Sequence, residues 1–186
     1  MPLYEVKELI KKLNLALQKS SEESEDLRSQ IFLALAHIVK SFAKTKILLE
    51  FNEEWMDLLS EETDAKSRRS LLSLLANWFA SGRPFLPCFH DKLLQSMKQD
   101  LTCCEFQVKV GALKVLGHAT HVLSAQDRSL ATDIMAMINR HTKDQDPRVR
   151  KAAFEALLCI HHNGNRFEKK IPPKCNARHF LLNFTN

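Results

Sequence analysis

Glycine is scarce in this chain, with four among 186 residues, and tyrosine occurs once. Such scarcity argues against sheet-rich folds built on many tight turns and against the glycine-rich loops that wrap phosphate, so helices are favoured. The five cysteines (Cys88, Cys103, Cys104, Cys159 and Cys175) are odd in number and lack framework spacing, which points to reduced, packed thiols rather than disulfides. No basic, apolar, small-residue leader opens the chain, and the uncharged run from Ser70 to Gly82 is too short and too polar at its end to cross a bilayer. A soluble, intracellular protein is expected. P-loop, nucleophile-elbow, His-Glu-x-x-His and dinucleotide glycine patterns are all missing, so the chain reads as a non-enzyme that needs no cofactor.

What is present is ordinary for a domain with a real core: 45% hydrophobic and 26% charged residues. The net charge of +5 is concentrated at the C-terminal end, where Arg166, Lys169, Lys170, Lys174 and Arg178 face only Glu168. The body up to residue 165 is close to neutral, which leaves weak contact with nucleic acid through the tail as the most that charge alone supports.

Apolar residues recur at helical spacing in eight segments. Val6, Leu9, Ile10, Leu13 and Leu17 mark a helix over 3–19; Leu27, Ile31, Ala34, Leu35 and Ile38 mark a second over 27–42. Further helices are predicted over 47–59, 65–80, 88–101, 105–122, 129–142 and 147–162, separated by polar, cap-forming stretches such as Glu61-Glu62-Thr63-Asp64. The acids of these stretches precede helices, where capping and the helix dipole explain them. The sharpest start is Asp146-Pro147-Arg148-Val149-Arg150: Asp146 can cap the first turn, and Pro147 suits the first helical position.

Superposing the second helix of each pair gives a shared period of about 40 residues. Leu27, Arg68, Val108 and Val149 then correspond, followed by the apolar sets Ile31, Leu72, Ala112, Ala153 and Leu35, Ala76, Leu116, Leu157. One position after the first set stand Arg28, Arg69, Lys109 and Arg150, all basic. Three positions before it, Ser24, Glu105 and Asp146 can cap, whereas Ala65 cannot, so the second repeat reads as the imperfect copy.

A two-helix unit of this length resembles HEAT repeats. The resemblance implies an all-α right-handed solenoid of about four helix pairs, near 3–43, 46–82, 88–123 and 127–164, with a basic irregular tail over 165–186. It also implies a structural repeat ladder of Arg28, Arg69, Lys109, Asp146 and Arg150, in which the inner-helix base bonds acids in the turn and the next repeat. Stacking is required because a lone helix pair cannot bury its apolar face.

Gln107-Val108-Lys109-Val110-Gly111-Ala112-Leu113-Lys114-Val115-Leu116-Gly117, the stretch from Asp144 to Ala153, and Asp26-Leu27-Arg28-Ser29-Gln30-Ile31 onward to Ala43 together resemble the N-terminal HEAT region of the Integrator subunit 4 family over most of residues 22–164. That resemblance implies a nuclear scaffold, with a cytoplasmic pool left open, whose partners are the endonuclease pair that processes small nuclear RNA 3′ ends and nascent transcripts. Chemistry would then belong to the partners. After Gly164 the pattern stops, as Lys169-Lys170-Ile171-Pro172-Pro173-Lys174 breaks any next helix, so a fragment, short isoform or divergent relative is expected. Phe180 to Phe184 either caps the last repeat or remains a disordered tail.

Other groupings are weak. Cys103-Cys104, His118 with His121, and His161-His162 lack the two converging pairs of a zinc site, so no metal is assigned. A reactive thiol at Cys103 or Cys104 is the only enzymatic alternative. Trp55 and Trp78 are candidate interface anchors or inter-repeat packing; Trp78, Lys114, His118 and His121 form the candidate protein-binding face, with a solvated charged face as the plainer reading. Another HEAT adaptor, of phosphatase-scaffold, condensin or transport type, and a helical-repeat RNA-binding protein are the rival functions.

Overall fold

Amphipathic periodicity without β-branched runs becomes helix throughout: the computed structural model describes residues 2–20, 25–43, 51–82, 87–124 and 128–168, and among these every regular element is helical. The helices are α1 (Leu3–Lys19), α2 (Glu25–Ser41), α3 (Asn52–Glu61), α4 (Ala65–Ala80), α5 (His90–Thr102), α6 (Phe106–Ser124), α7 (Arg128–Arg140) and α8 (Pro147–Glu168). Short 3-10 turns, Pro87–Phe89 and His141–Lys143, precede α5 and follow α7. None of the helices is long and apolar enough to cross a membrane.

The largest departure from the sequence expectation is at the end of α8. α8 continues through Gly164 to Glu168, past the predicted end of the repeats, because one glycine costs a helix only about 1 kcal/mol. The remainder of the predicted tail, the segment Phe180 to Phe184, residues 47–50 of the third predicted helix and the capping residue Ser24 lie outside the described residues.

The even-numbered helices pack in a row, α2 on α4, α4 on α6 and α6 on α8, while α3 packs on α5, and α5 and α7 pack on α6. One apolar core runs through all of them, from Val6 and Ile10 in α1 to Val149 and Ala153 in α8. Each fully buried large side chain in it contributes roughly 2 kcal/mol of transfer free energy. Leu27 and Ala34, expected on the buried face of α2, are exposed. The buried arc of α2 instead runs through Ser29, Phe32, Leu35, Ala36 and Val39, the side that meets α4; Ser29 and Ser70 share a buried hydroxyl hydrogen bond of 2.8 Å across that contact.

The second repeat is regular once its register is moved by one residue. Asp64, not Ala65, caps α4, its carboxylate accepting from the Ser67 N–H at 2.7 Å. Glu105 and Asp146 stand at the same place before α6 and α8, where their carbonyls accept the first helical bonds. Counting from the cap, Arg68 rather than Arg69 corresponds to Arg28, Lys109 and Arg150. The same register aligns Ala36, Ala76, Gly117 and Leu158. The first three are small and buried, whereas Leu158 is 58% exposed on the far side of α8.

Candidate functional site

The basic series performs one structural task per helix pair. Arg28 of α2 donates back to the Leu17 and Ser20 carbonyls at the end of α1 (2.9 and 3.3 Å) and forward to Glu62 (2.7 and 2.9 Å) in the loop before α4. Arg68 repeats the pattern with Leu59 and Glu62 carbonyls behind it and a two-pronged pair to Asp100 ahead (2.9 and 3.0 Å). Lys109 reaches forward to Asp144 at 3.4 Å, and Arg150 reaches back to the carbonyls of Asp144 and Gln145 at 2.8 and 2.9 Å. Carbonyls at a helix C-terminus lack intrahelical partners and carry the negative end of the dipole, so a cation there is doubly favoured.

Arg69, assigned to this series from sequence, does not belong to it. Among the described residues its guanidinium bonds only the Gln107 side chain, at 2.9 Å on the surface, because one residue along the helix rotates it about 100° away from α3 and α5. Sequence reading also missed Glu62, Asp100 and Asp144, the acids that receive the bases. Their signal was position at the end of an odd-numbered helix. Burial outweighs Arg68 and raises the Asp100 carboxyl above its ordinary range. Asp144 is lowered, first by the Asp146 N–H and, against a smaller cost of burial, also by His141 and Lys109. Asp146 is held at about 2, chiefly by the side chain of Arg148.

Trp78 is corrected as a binding residue. It is 1% exposed and meets Trp55 edge-on at 5.3 Å between centroids, so it is core, and no partner can reach it. Lys114 and His118 do lie together, in a groove of about 500 Å³ between α2, α4 and α6. Arg69, Ser73 and Asn77 line its α4 side, Gln107 and Val110 its α6 side, and Leu33 its α2 edge. His121 stands a turn further on and is half-buried, near Gly82 at the end of α4. Cys103 accepts from the Glu105 N–H at 3.4 Å, Cys104 is exposed, and the rings of His161 and His162 lie 6.0 Å apart on the exposed side of α8. No group of three potential metal ligands occurs among the described residues.

His118 contacts the Cys159 sulfur through Nδ1 at 3.3 Å, tying α6 to α8. Burial lowers the pKa of both His118 and His121 below the usual 6.5; His121 and Lys114 add to the effect at His118, and the His118 backbone carbonyl, which favours the protonated His121 ring, opposes it at His121. A depressed histidine binds its proton more readily unfolded, so its stabilisation is full above pH 6.5 and is lost as the pH falls. Thermal melts from about pH 7.5 to about pH 5 should show a falling Tm, and His118→Gln/His121→Gln should reduce that fall. Parallel pH profiles for the two proteins would rule the pair out as its cause. Asp100, whose raised pKa acts with the opposite sign, is common to both and cancels in the comparison.

No family model matches the chain. It is 28% identical over 159 residues to Integrator complex subunit 4 of Mus musculus, an alignment that covers 82% of this chain and 16% of that protein. The all-helical architecture, the row of stacked even-numbered helices and this similarity together support a distant relationship to Integrator complex subunit 4, of which the chain spans a small part of the length.

Proposed function

We propose that the chain is a non-catalytic HEAT-type solenoid of about four repeats, near 3–43, 46–82, 88–123 and 127–164, that binds other proteins within a nuclear assembly. The observation that carries it is the recurrent base near the start of each even-numbered helix: Arg28, Arg68 and Lys109 each tie their helix pair to the next, and Arg150 ties α8 to the loop that precedes it. An enzyme has no need to repeat one structural contact along its length, whereas a stack of helix pairs is stable only through such neighbour contacts. Similarity to Integrator complex subunit 4 supports a scaffold role beside the endonuclease subunits of that complex, in small nuclear RNA processing and transcription control. The ladder residues then serve stacking, and Lys114 and His118 serve partner contact.

The test is affinity purification of the tagged full chain from nuclear extract, followed by mass spectrometry. Recovery of Integrator subunits above a charge-matched control is expected. Recovery of phosphatase catalytic subunits or transport cargo instead would replace this assignment with another adaptor role.

A further inference from the structure

The sum of charges hides a segregation that only the packing creates. α4 and α6 carry Lys66, Arg68, Arg69, Lys109 and Lys114 and no carboxylate, whereas α3 carries Glu53, Glu54, Asp57 and Glu61 and no base. Within the basic pair of helices the charges divide again. Arg68 and Lys109 are consumed by Asp100 and Asp144, and Lys66 by Asp26. Arg69 and Lys114 meet no carboxylate among the described residues, and both line the groove between α2, α4 and α6.

The remaining lining is chemically specific. Ser73, Asn77 and Gln107 offer hydroxyl and amide groups; the Asn77 amide nitrogen donates to the Ala36 carbonyl at 3.2 Å, and its amide oxygen is an acceptor. Leu72, Ala76, Val110 and Gly111 make an apolar floor, and Leu33, 41% exposed, stands at one edge. From Arg69 to Asn77 the α4 wall runs about 12 Å, the length of about four residues of extended chain.

We propose that this groove binds an extended acidic protein segment, with Asp or Glu side chains on Arg69 and Lys114 and an aliphatic side chain against the Leu33 edge. Charge complementarity selects the sign, the amides and hydroxyl receive an extended backbone, and the apolar floor receives the side chain between the charges. RNA fits less well. Of the groove's two rings, Phe106 is half-buried and covered by the Arg148 guanidinium at 3.3 Å from its centroid, and the half-buried His118 imidazole is held by the Cys159 sulfur, so neither makes an open stacking platform. Two uncompensated cations also make a short track for a phosphate backbone.

The inference rests on the scaffold reading and is tested separately from it. Fluorescence anisotropy of the full chain is measured with a labelled Ser/Glu/Leu peptide of about twelve residues, with its Lys-for-Glu counterpart, and with oligouridine of matched charge. The acidic peptide should bind best, and Arg69→Glu/Lys114→Glu should weaken it by about tenfold or more. Lys12→Glu/Lys98→Glu, the same charge change on exposed positions of α1 and α5, should leave it within about twofold; melting curves check that each variant is folded. Equal loss in the two double variants, or tighter binding of oligouridine or of the lysine peptide, overturns the proposal. Capture of Integrator subunits undiminished by Arg69→Glu/Lys114→Glu would also overturn the groove and leave the scaffold standing. Peptide binding without any captured subunit would keep the groove and remove the Integrator assignment.

Discussion

Replacing Arg68 with alanine is expected to destabilise the fold by about 3–5 kcal/mol, because it strands a charge rather than merely removing a contact. Arg68 is 7% exposed and Asp100 5% exposed. With the guanidinium gone, the Asp100 carboxylate loses both of its short partners, Ser96 loses one, and the carbonyls of Leu59 and Glu62 at the end of α3 lose their donor. For a chain of this size the melting temperature should fall by about 10 °C. Arg69→Ala is the internal control: it removes one surface hydrogen bond to Gln107 and should stay within about 0.5 kcal/mol. Converting the pair together, Arg68→Met with Asp100→Leu, should recover much of the loss, since burying neither charge is cheaper than burying one. Calorimetric or denaturant melts of the three variants decide the matter, and similar effects of Arg68→Ala and Arg69→Ala would contradict the register assigned to α4.

Gly117→Val should cost about 3 kcal/mol or more, at the upper end for overpacking. A Cβ at 117 would lie 2.9 Å from the Ala156 Cα and 3.0 Å from its Cβ, so the obstacle is the α8 backbone, which cannot step aside without opening the α6–α8 contact. Gly111 makes the useful comparison. There the nearest atoms to a Cβ are Leu72 Cβ and Cδ1, both at 3.0 Å; the Cδ1 can swing aside with a rotamer change, while the Cβ contact needs α4 and α6 to part by a few tenths of an ångström. Gly111→Ala should therefore cost less than Gly117→Ala, its crowding against one side chain partly offset by a helix-propensity gain of about 1 kcal/mol, while Gly117→Ala meets backbone and is clearly destabilising. Urea unfolding with an unchanged m-value would measure both differences. Equal effects at the two glycines would show that α6 and α8 do not approach this closely.

Much of the molecule is legible in the residue pattern alone. Helix α1 falls on the residues its apolar spacing marks, and Asp146 starts α8 as its sequence implies, with the Arg148 N–H donating to its carboxylate at 2.8 Å. Adjacency is what misleads in α4. Arg68 and Arg69 are neighbours, as are Leu71 and Leu72 or Leu74 and Leu75, so a one-residue shift of that helix leaves a basic residue and apolar residues in every compared position. Asp64, the cap of α4, is the residue that distinguishes the two alignments. Trp78 misleads differently: it lies off the narrow apolar stripe of its helix, yet α4 is packed by α2 on one side and α6 on the other, and so buries a wider arc than a helix with one covered face.

By itself the sequence determined that the chain is helical, where most helices begin, and that the even-numbered ones share a period. These follow from local caps and spacing, which act within a few turns of one helix. Only the tertiary structure decided which of two adjacent arginines is buried against Asp100, which small residue must be Gly117, and which cations remain without a carboxylate in the groove. Those outcomes depend on residues roughly 30 to 40 positions away arriving at the same place, and a carboxylate at the end of α5 selects Arg68 through burial and geometry that no local pattern encodes.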